Sequence, residues 1–255
     1  MNVSKPTNMQ RLKEIFEVSS SIGASRNNGL HRLTLTEQDK EMRDTFISWL
    51  EAENLEVRVD DAGNIYGRRE GEDKNAASIV MGSHLDTQPN GGRFDGVLGV
   101  LSALEVIRML NEDSIKTVHP IEMVNLSNEE GERFTPSMMG SGILTGNYDK
   151  WETYSIQDRD GTTFEEALKK IEYLGSEKNR LKNPACFIEL HVEQGPILEK
   201  EQKDIGIVEG VKGMTRFHVE LEGQSCHAAF PAVGRKDALV AASEMVLAID
   251  EAAGE

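Results

Sequence analysis

Apolar residues recur along this chain with two different periods, and the switching between them predicts the order of its elements. Residues 7–22 set Leu12, Ile15, Phe16 and Ser19 on one face at helical spacing. A second helix is expected from Thr36, which suits an N-cap. Asp39 adds favourable charge in its first turn, and Phe46, Ile47, Trp49 and Leu50 form its apolar side. Residues 56–60 alternate like a half-buried strand, and 61–64 (Asp-Ala-Gly-Asn) read as a turn into a further strand at 65–68. The apolar run 77–82 predicts a buried central strand. Val97 to Leu110 returns to helical spacing, and 121–126 and 187–192 read as two more buried strands. Strands alternating with helices predict an α/β fold with a mixed, largely parallel sheet flanked by helices.

Beyond Gly206 the pattern changes. Residues 207–208 and then 215–223 alternate with period two, and a long helix is expected from about Arg235 to Ala253. This predicts a first domain over residues 1–210 and the beginning of an α+β second domain over 211–255. One or two strands and a helix there have no evident partners, so the chain reads as the front part of a longer architecture.

With 255 residues, 38% hydrophobic and 28% charged, the composition is that of an ordinary globular chain. No stretch approaches the roughly 18 apolar residues of a membrane span, and the first six residues lack the apolar core of a signal peptide. The formal charge of −16 disfavours a nucleic-acid partner. Only Cys186 and Cys226 occur, which argues against a disulfide framework and for the cytoplasm.

Chemistry concentrates at the ends of the apolar runs. His84 follows the predicted central strand, with Asp86 two residues on. The pair could serve a metal site, the carboxylate steadying the ring, or simply tie down a loop. Asp95 precedes a predicted helix, where an N-cap role is expected, although a carboxylate there could cap and bind metal together. Glu129 and Glu130 follow a strand. As neighbours they are either surface charge or a division of labour, one binding metal while the other takes a proton from the attacking water. Glu189, His191 and Glu193 alternate with Ile188, Leu190 and Val192, as a solvent-facing strand or a ligand strand would. Imidazoles and carboxylates without a thiolate suit a borderline divalent ion such as Zn²⁺, Mn²⁺ or Co²⁺.

The segments 82–87 (Gly-Ser-His-Leu-Asp-Thr), 128–131 (Asn-Glu-Glu-Gly) and 191–196 (His-Val-Glu-Gln-Gly-Pro), in this order, resemble the amidase/hydantoinase-carbamoylase branch of the M20-type metallohydrolases. That branch includes N-carbamoyl-L-amino acid hydrolases, allantoate amidohydrolases and β-ureidopropionases. The resemblance implies a hydrolase of a linear C–N bond in a small-molecule substrate, using two divalent metal ions (Zn, Mn, Co or Ni). By it, His84 and His191 each bind one metal, Asp95 bridges them, and Glu130 binds the second. Glu129 is then the general base, Asp86 steadies His84, and Gln194 contacts substrate.

Residues 223–228 (Gly-Gln-Ser-Cys-His-Ala) are similar to the family's lid motif, which implies that His227 reaches the partner's active site in a homodimer and stabilises the oxyanion. Beside it Cys226 is expected to be a small buried residue rather than a nucleophile. The loop 229–235 after His227 looks more like that of the wider M20 peptidases and deacylases. An aminoacylase or peptidase is therefore the competing enzyme reading, and a non-catalytic fragment is the competing class. The family's last metal-ligand histidine and its carboxylate-binding arginine would lie beyond position 255. His31, His119 and His218 match no family ligand.

Overall fold

The computed structural model describes residues 7–211, 213, 215, 217–229 and 234–254. The chain divides into two compact units, Met1–Pro196 and Ile197–Glu255.

In the first unit, helix α1 (Met9–Ser21) is capped by Asn8, whose side chain accepts the Arg11 N–H at 3.1 Å. Arg11 in turn grips the buried Glu105 of α3 (Val97–Glu112) through Nε at 2.8 Å and Nη2 at 2.7 Å, locking the two helices together. Thr36 caps α2 (Glu37–Ala52), accepting from Asp39 N–H at 3.3 Å. Phe46 and Leu50 are fully buried beneath it.

The sheet has five strands in the order β1 (Glu56–Val59), β2 (Ile65–Arg69), β4 (Ile121–Leu126), β3 (Ile79–His84), β5 (Cys186–Ile188). It is mixed, as the pattern predicts. The β1–β2 and β2–β4 pairs are antiparallel, whereas β4–β3 and β3–β5 run parallel. One face, with Ile65 and Met123, packs under α2 and α3 in the main core. The other carries a small cluster of Tyr66, Val80 and Val124, against which Leu126 and Leu181 pack.

Three expectations need correction. The strand expected over 187–192 is only Cys186–Ile188, and it is exposed rather than buried, because β5 lies at the sheet edge with β3 alone as neighbour. Its alternating apolar residues do not extend it, since a strand persists only where a ladder partner satisfies its backbone. The same reason covers 207–223: its described residues form no strand, and Phe217 and Val219 stand exposed. Arg216 and residues 230–233 of the expected strand and loop lie outside the described residues. Cys226 is exposed, not buried. The long helix of the second unit is present as α8 (Ala238–Ala253), capped by Asp237.

Between β4 and β5 lie three short helices that periodicity did not predict: α4 (Met139–Thr145), α5 (Lys150–Ser155) and α6 (Phe164–Lys170). A four-residue helix, α7 (Ile197–Lys200), opens the second unit.

Candidate metal centre

Parallel pairing brings the chemistry to one edge. In the β3–β4 register His84 lies opposite Leu126, so the turn bearing Glu129 and Glu130 leaves the sheet beside the histidine. In the β3–β5 register Ile79 pairs with Cys186, and the same offset applied to His84 reaches position 191. Both imidazoles therefore emerge at the carboxyl ends of adjacent parallel strands, where open α/β sheets place their ligand sites.

One donor atom from each of His84, Asp95 and His191 lies within 4.8 Å of the other two. His191 Nε2 is 3.1 Å from Asp95 Oδ1, and the two imidazole centroids are 6.4 Å apart. Glu129 Oε2 stands 3.4 Å from His84 Nε2. Asp95 is not the cap of α3: Gly96 takes that position, with no side-chain cap bond, and leaves the Asp95 carboxylate free to face the site. Its second oxygen accepts Gln194 Nε2 at 2.5 Å. Gly96 sits at φ +64°, and a Cβ on it would lie 2.4 Å from the His84 ring, so only glycine lets the start of α3 approach the imidazole this closely.

Asp86 is the anchor of the site. His84 Nδ1 lies 2.9 Å from the Asp86 carbonyl and 3.7 Å from its carboxylate. That carboxylate also accepts the backbone N–H of Glu129 at 3.3 Å and of Glu130 at 3.2 Å. Glu130 Oε2 accepts from Gln88 Nε2 at 2.8 Å, and Glu130 is not among the three clustered donors.

The acidic turn is fixed from behind by buried polar residues that sequence reasoning did not single out as site residues. Asp39 accepts Arg43 Nε at 2.7 Å, and Arg43 donates onward to Gly63 O at 2.6 Å and Ser127 Oγ at 3.1 Å. Asn64 Oδ1 accepts Ser127 N–H at 2.9 Å. Asn128 occupies the left-handed region (φ 53°), and its side chain donates to Phe134 O at 2.9 Å. A signal existed: Asp39 and Arg43 are charged, yet they fall in phase with Phe46 and Leu50 on the buried face of α2.

Electrostatics follow from crowding carboxylates into a dry edge. Burial alone lowers the His84 pKa, but Asp86, Glu129 and Glu130 outweigh it, and the net shift is upward. Burial raises the carboxyls of Asp86, Glu129 and Glu130. His84 opposes the rise in all three, and Gln88 also does so for Glu130. A group of like charges held above its ordinary range is the environment a divalent cation relieves. The donor set, two imidazoles and a carboxylate with further carboxylates adjacent, fits such an ion.

His227 lies in the second unit, exposed, its Nδ1 accepting the Ala229 N–H at 3.2 Å.

A mixed α/β sheet carrying histidine and carboxylate donors at its carboxyl edge has the arrangement of a divalent-metal site. Residues 80–255 match peptidase family M20/M25/M40, and the chain belongs to that family. It is 42% identical over 224 residues to the N-carbamoyl-L-amino-acid amidohydrolase of Rhizobium meliloti, covering 88% of this chain and 54% of that protein. It is 34% identical over 238 residues to the allantoate amidohydrolase of Bacillus subtilis, covering 92% and 58%. Among solved structures, the hydantoinase/carbamoylase family amidase of Burkholderia vietnamiensis superposes with a TM-score of 0.83 at 39% identity, covering 98% of this chain and 61% of that one. The chain thus spans little more than half the length of the relatives it matches. The branch expected from the three motifs is the one these relatives represent.

Proposed function

We propose that the protein is a divalent-metal-dependent amidohydrolase that cleaves a linear C–N bond of an N-carbamoyl-amino acid or a ureido acid such as allantoate. The observation that carries this reading is the convergence of His84, Asp95 and His191 donors within 4.8 Å, with Glu129 at 3.4 Å from His84. The names of the relatives supply the substrate class.

In this reading His84, Asp95, His191 and Glu130 would hold a pair of ions (Zn²⁺, Mn²⁺, Co²⁺ or Ni²⁺). Bound there, the ions supply acidification of a water and polarisation of the scissile carbonyl. Glu129 accepts the proton of the attacking water and delivers it to the leaving nitrogen. Asp86 holds His84 and the two glutamate amides in register. Gln194, which donates to Asp95, would contact the substrate. A carbamoyl substrate and one water give CO₂, ammonia and the amino acid.

Residues 1–210 would then be the catalytic portion and 211–255 the start of a lid and dimerisation domain. His227 would meet the oxyanion in the active site of a second copy. Two free cysteines fit a cytoplasmic location, and among the described residues no helix is long and apolar enough to cross a membrane.

The test is a turnover screen of the full-length protein, stripped and reloaded with metal, against N-carbamoyl-amino acids, allantoate and β-ureidopropionate. N-acyl-amino acids and dipeptides run alongside. Turnover confined to carbamoyl or ureido compounds is expected. Turnover confined to acyl-amino acids or dipeptides would favour the aminoacylase or peptidase alternative, which the sequence after His227 supports.

A further inference from the structure

β5 is laddered to β3 only as far as Ile188, opposite Met81, yet His191 has to arrive beside His84 three residues later. A continued strand would turn Glu189 and His191 to the same face, whereas Ser83 and His84, being adjacent in β3, face opposite ways. The chain leaves the strand after Ile188 instead. Glu189 then meets the buried Ser83 hydroxyl, which donates to Glu189 Oε1, while His191 reaches Asp95. Beneath this junction lies Gly99, one turn along α3 from Gly96. A Cβ on Gly99 would stand 2.7 Å from Leu190 O and 2.9 Å from Ser83 Cβ, so the helix is flush against β3 and the segment after β5 at the point where the bond forms.

We propose that Ser83, Glu189 and Gly99 are positioning residues: the Ser83–Glu189 hydrogen bond, seated on Gly99, fixes the separation of His84 and His191. The inference rests on the metal-site reading above. The Asp95 contacts of His191 and Gln194 also hold this segment, but they are part of the site itself, whereas the Ser83–Glu189 bond is not. The strap orients a ligand from outside the ligand set, and such partners typically govern metal affinity by about 10–100-fold.

The test is a calorimetric titration of Zn²⁺ into chelator-stripped full-length protein, with circular dichroism to confirm the fold. Ser83→Ala and Glu189→Ala are expected to weaken Zn²⁺ binding by about 10–100-fold. Glu189→Gln keeps an oxygen acceptor for the hydroxyl and is expected to bind close to wild type. The double alanine variant should be no weaker than the weaker single, because both remove one bond. Wild-type affinity in both alanine variants would overturn the proposal, as would a glutamine variant as weak as the alanine one. Should Glu189→Ala not fold, Ser83→Ala, which removes a single oxygen, decides. A wild-type protein that binds no Zn²⁺, or a His191→Ala variant that binds it unchanged, would instead reject the metal site itself.

Discussion

Asp86 Oδ1 accepts the backbone N–H of Glu129 at 3.3 Å, so the residue that steadies the β3 histidine also fixes the acidic turn after β4. Two strands are thereby referenced to one buried carboxylate. Replacing it by alanine keeps the backbone carbonyl on His84 Nδ1 but removes the carboxylate that stands 3.7 Å from the ring and holds the Glu129 and Glu130 amides. Asp86→Ala is expected to weaken Zn²⁺ binding by about 10–100-fold in calorimetric titration. Unchanged affinity would show that the turn is fixed from elsewhere.

Glu129 faces His84 across 3.4 Å and is half-buried, the placement of a group that handles a proton rather than one that merely solvates the surface. Glu129→Gln keeps the shape and removes the base. Steady-state rates on the best substrate of the screen are expected to fall by at least about 100-fold, with metal content by elemental analysis unchanged. Turnover near the parent value in the glutamine variant would remove Glu129 from the base role.

Gly96→Ala combines a backbone at φ +64° with a Cβ only 2.4 Å from the His84 ring. Both the strain and the displaced imidazole count against it. A loss of about 1–3 kcal/mol in urea unfolding of the metal-free protein is expected, together with weaker metal binding. A neutral result on both would contradict the close approach of α3 to the imidazole.

Asp61 gives the acid dependence a local test. Burial alone raises its carboxyl, but Arg180 (Nε–Oδ1 2.8 Å) and Lys150 (Nζ–Oδ2 2.8 Å) outweigh it, and its pKa lies below the ordinary 3.8. A depressed carboxylate contributes stability that is present above its unfolded pKa and is lost as pH falls through the folded one. Asp61→Asn is therefore expected to unfold at lower urea concentration than the parent at pH 7, by about 1.5–3 kcal/mol. The gap should close as pH falls below 3.8. A gap that stays constant across that range would mean the ion pairs contribute nothing.

Much of this arrangement was legible before any coordinates. The apolar runs at 77–82 and 121–126 located β3 and β4, because a central strand has no polar face to confuse the pattern. Thr36 marked its helix because capping is a local matter. Asp95 misled for the same local reason: a carboxylate before a helix reads as a cap, and only the chain path shows Gly96 taking that place. β5 was read too long because alternation reports a face and says nothing about a neighbour. The helices between 139 and 170 run to at most seven residues, too short for a period to register. The phase of Asp39 and Arg43 along α2 signals that they are buried, but Ser127 lies more than 80 positions away, and spacing along the chain does not name it as their partner. Order and residue type pointed to His84, Asp95 and His191; the parallel neighbours β3 and β5, the path of the chain after Ile188 and the start of α3 bring them together.

The most direct measurement is an anomalous difference map at the zinc edge from crystals of the full-length protein loaded with Zn²⁺. The account expects a peak about 2.0–2.2 Å from His84 Nε2, His191 Nε2 or an Asp95 oxygen, with both imidazoles engaged. Density confined to another part of the molecule, or its absence at saturating Zn²⁺, would contradict it.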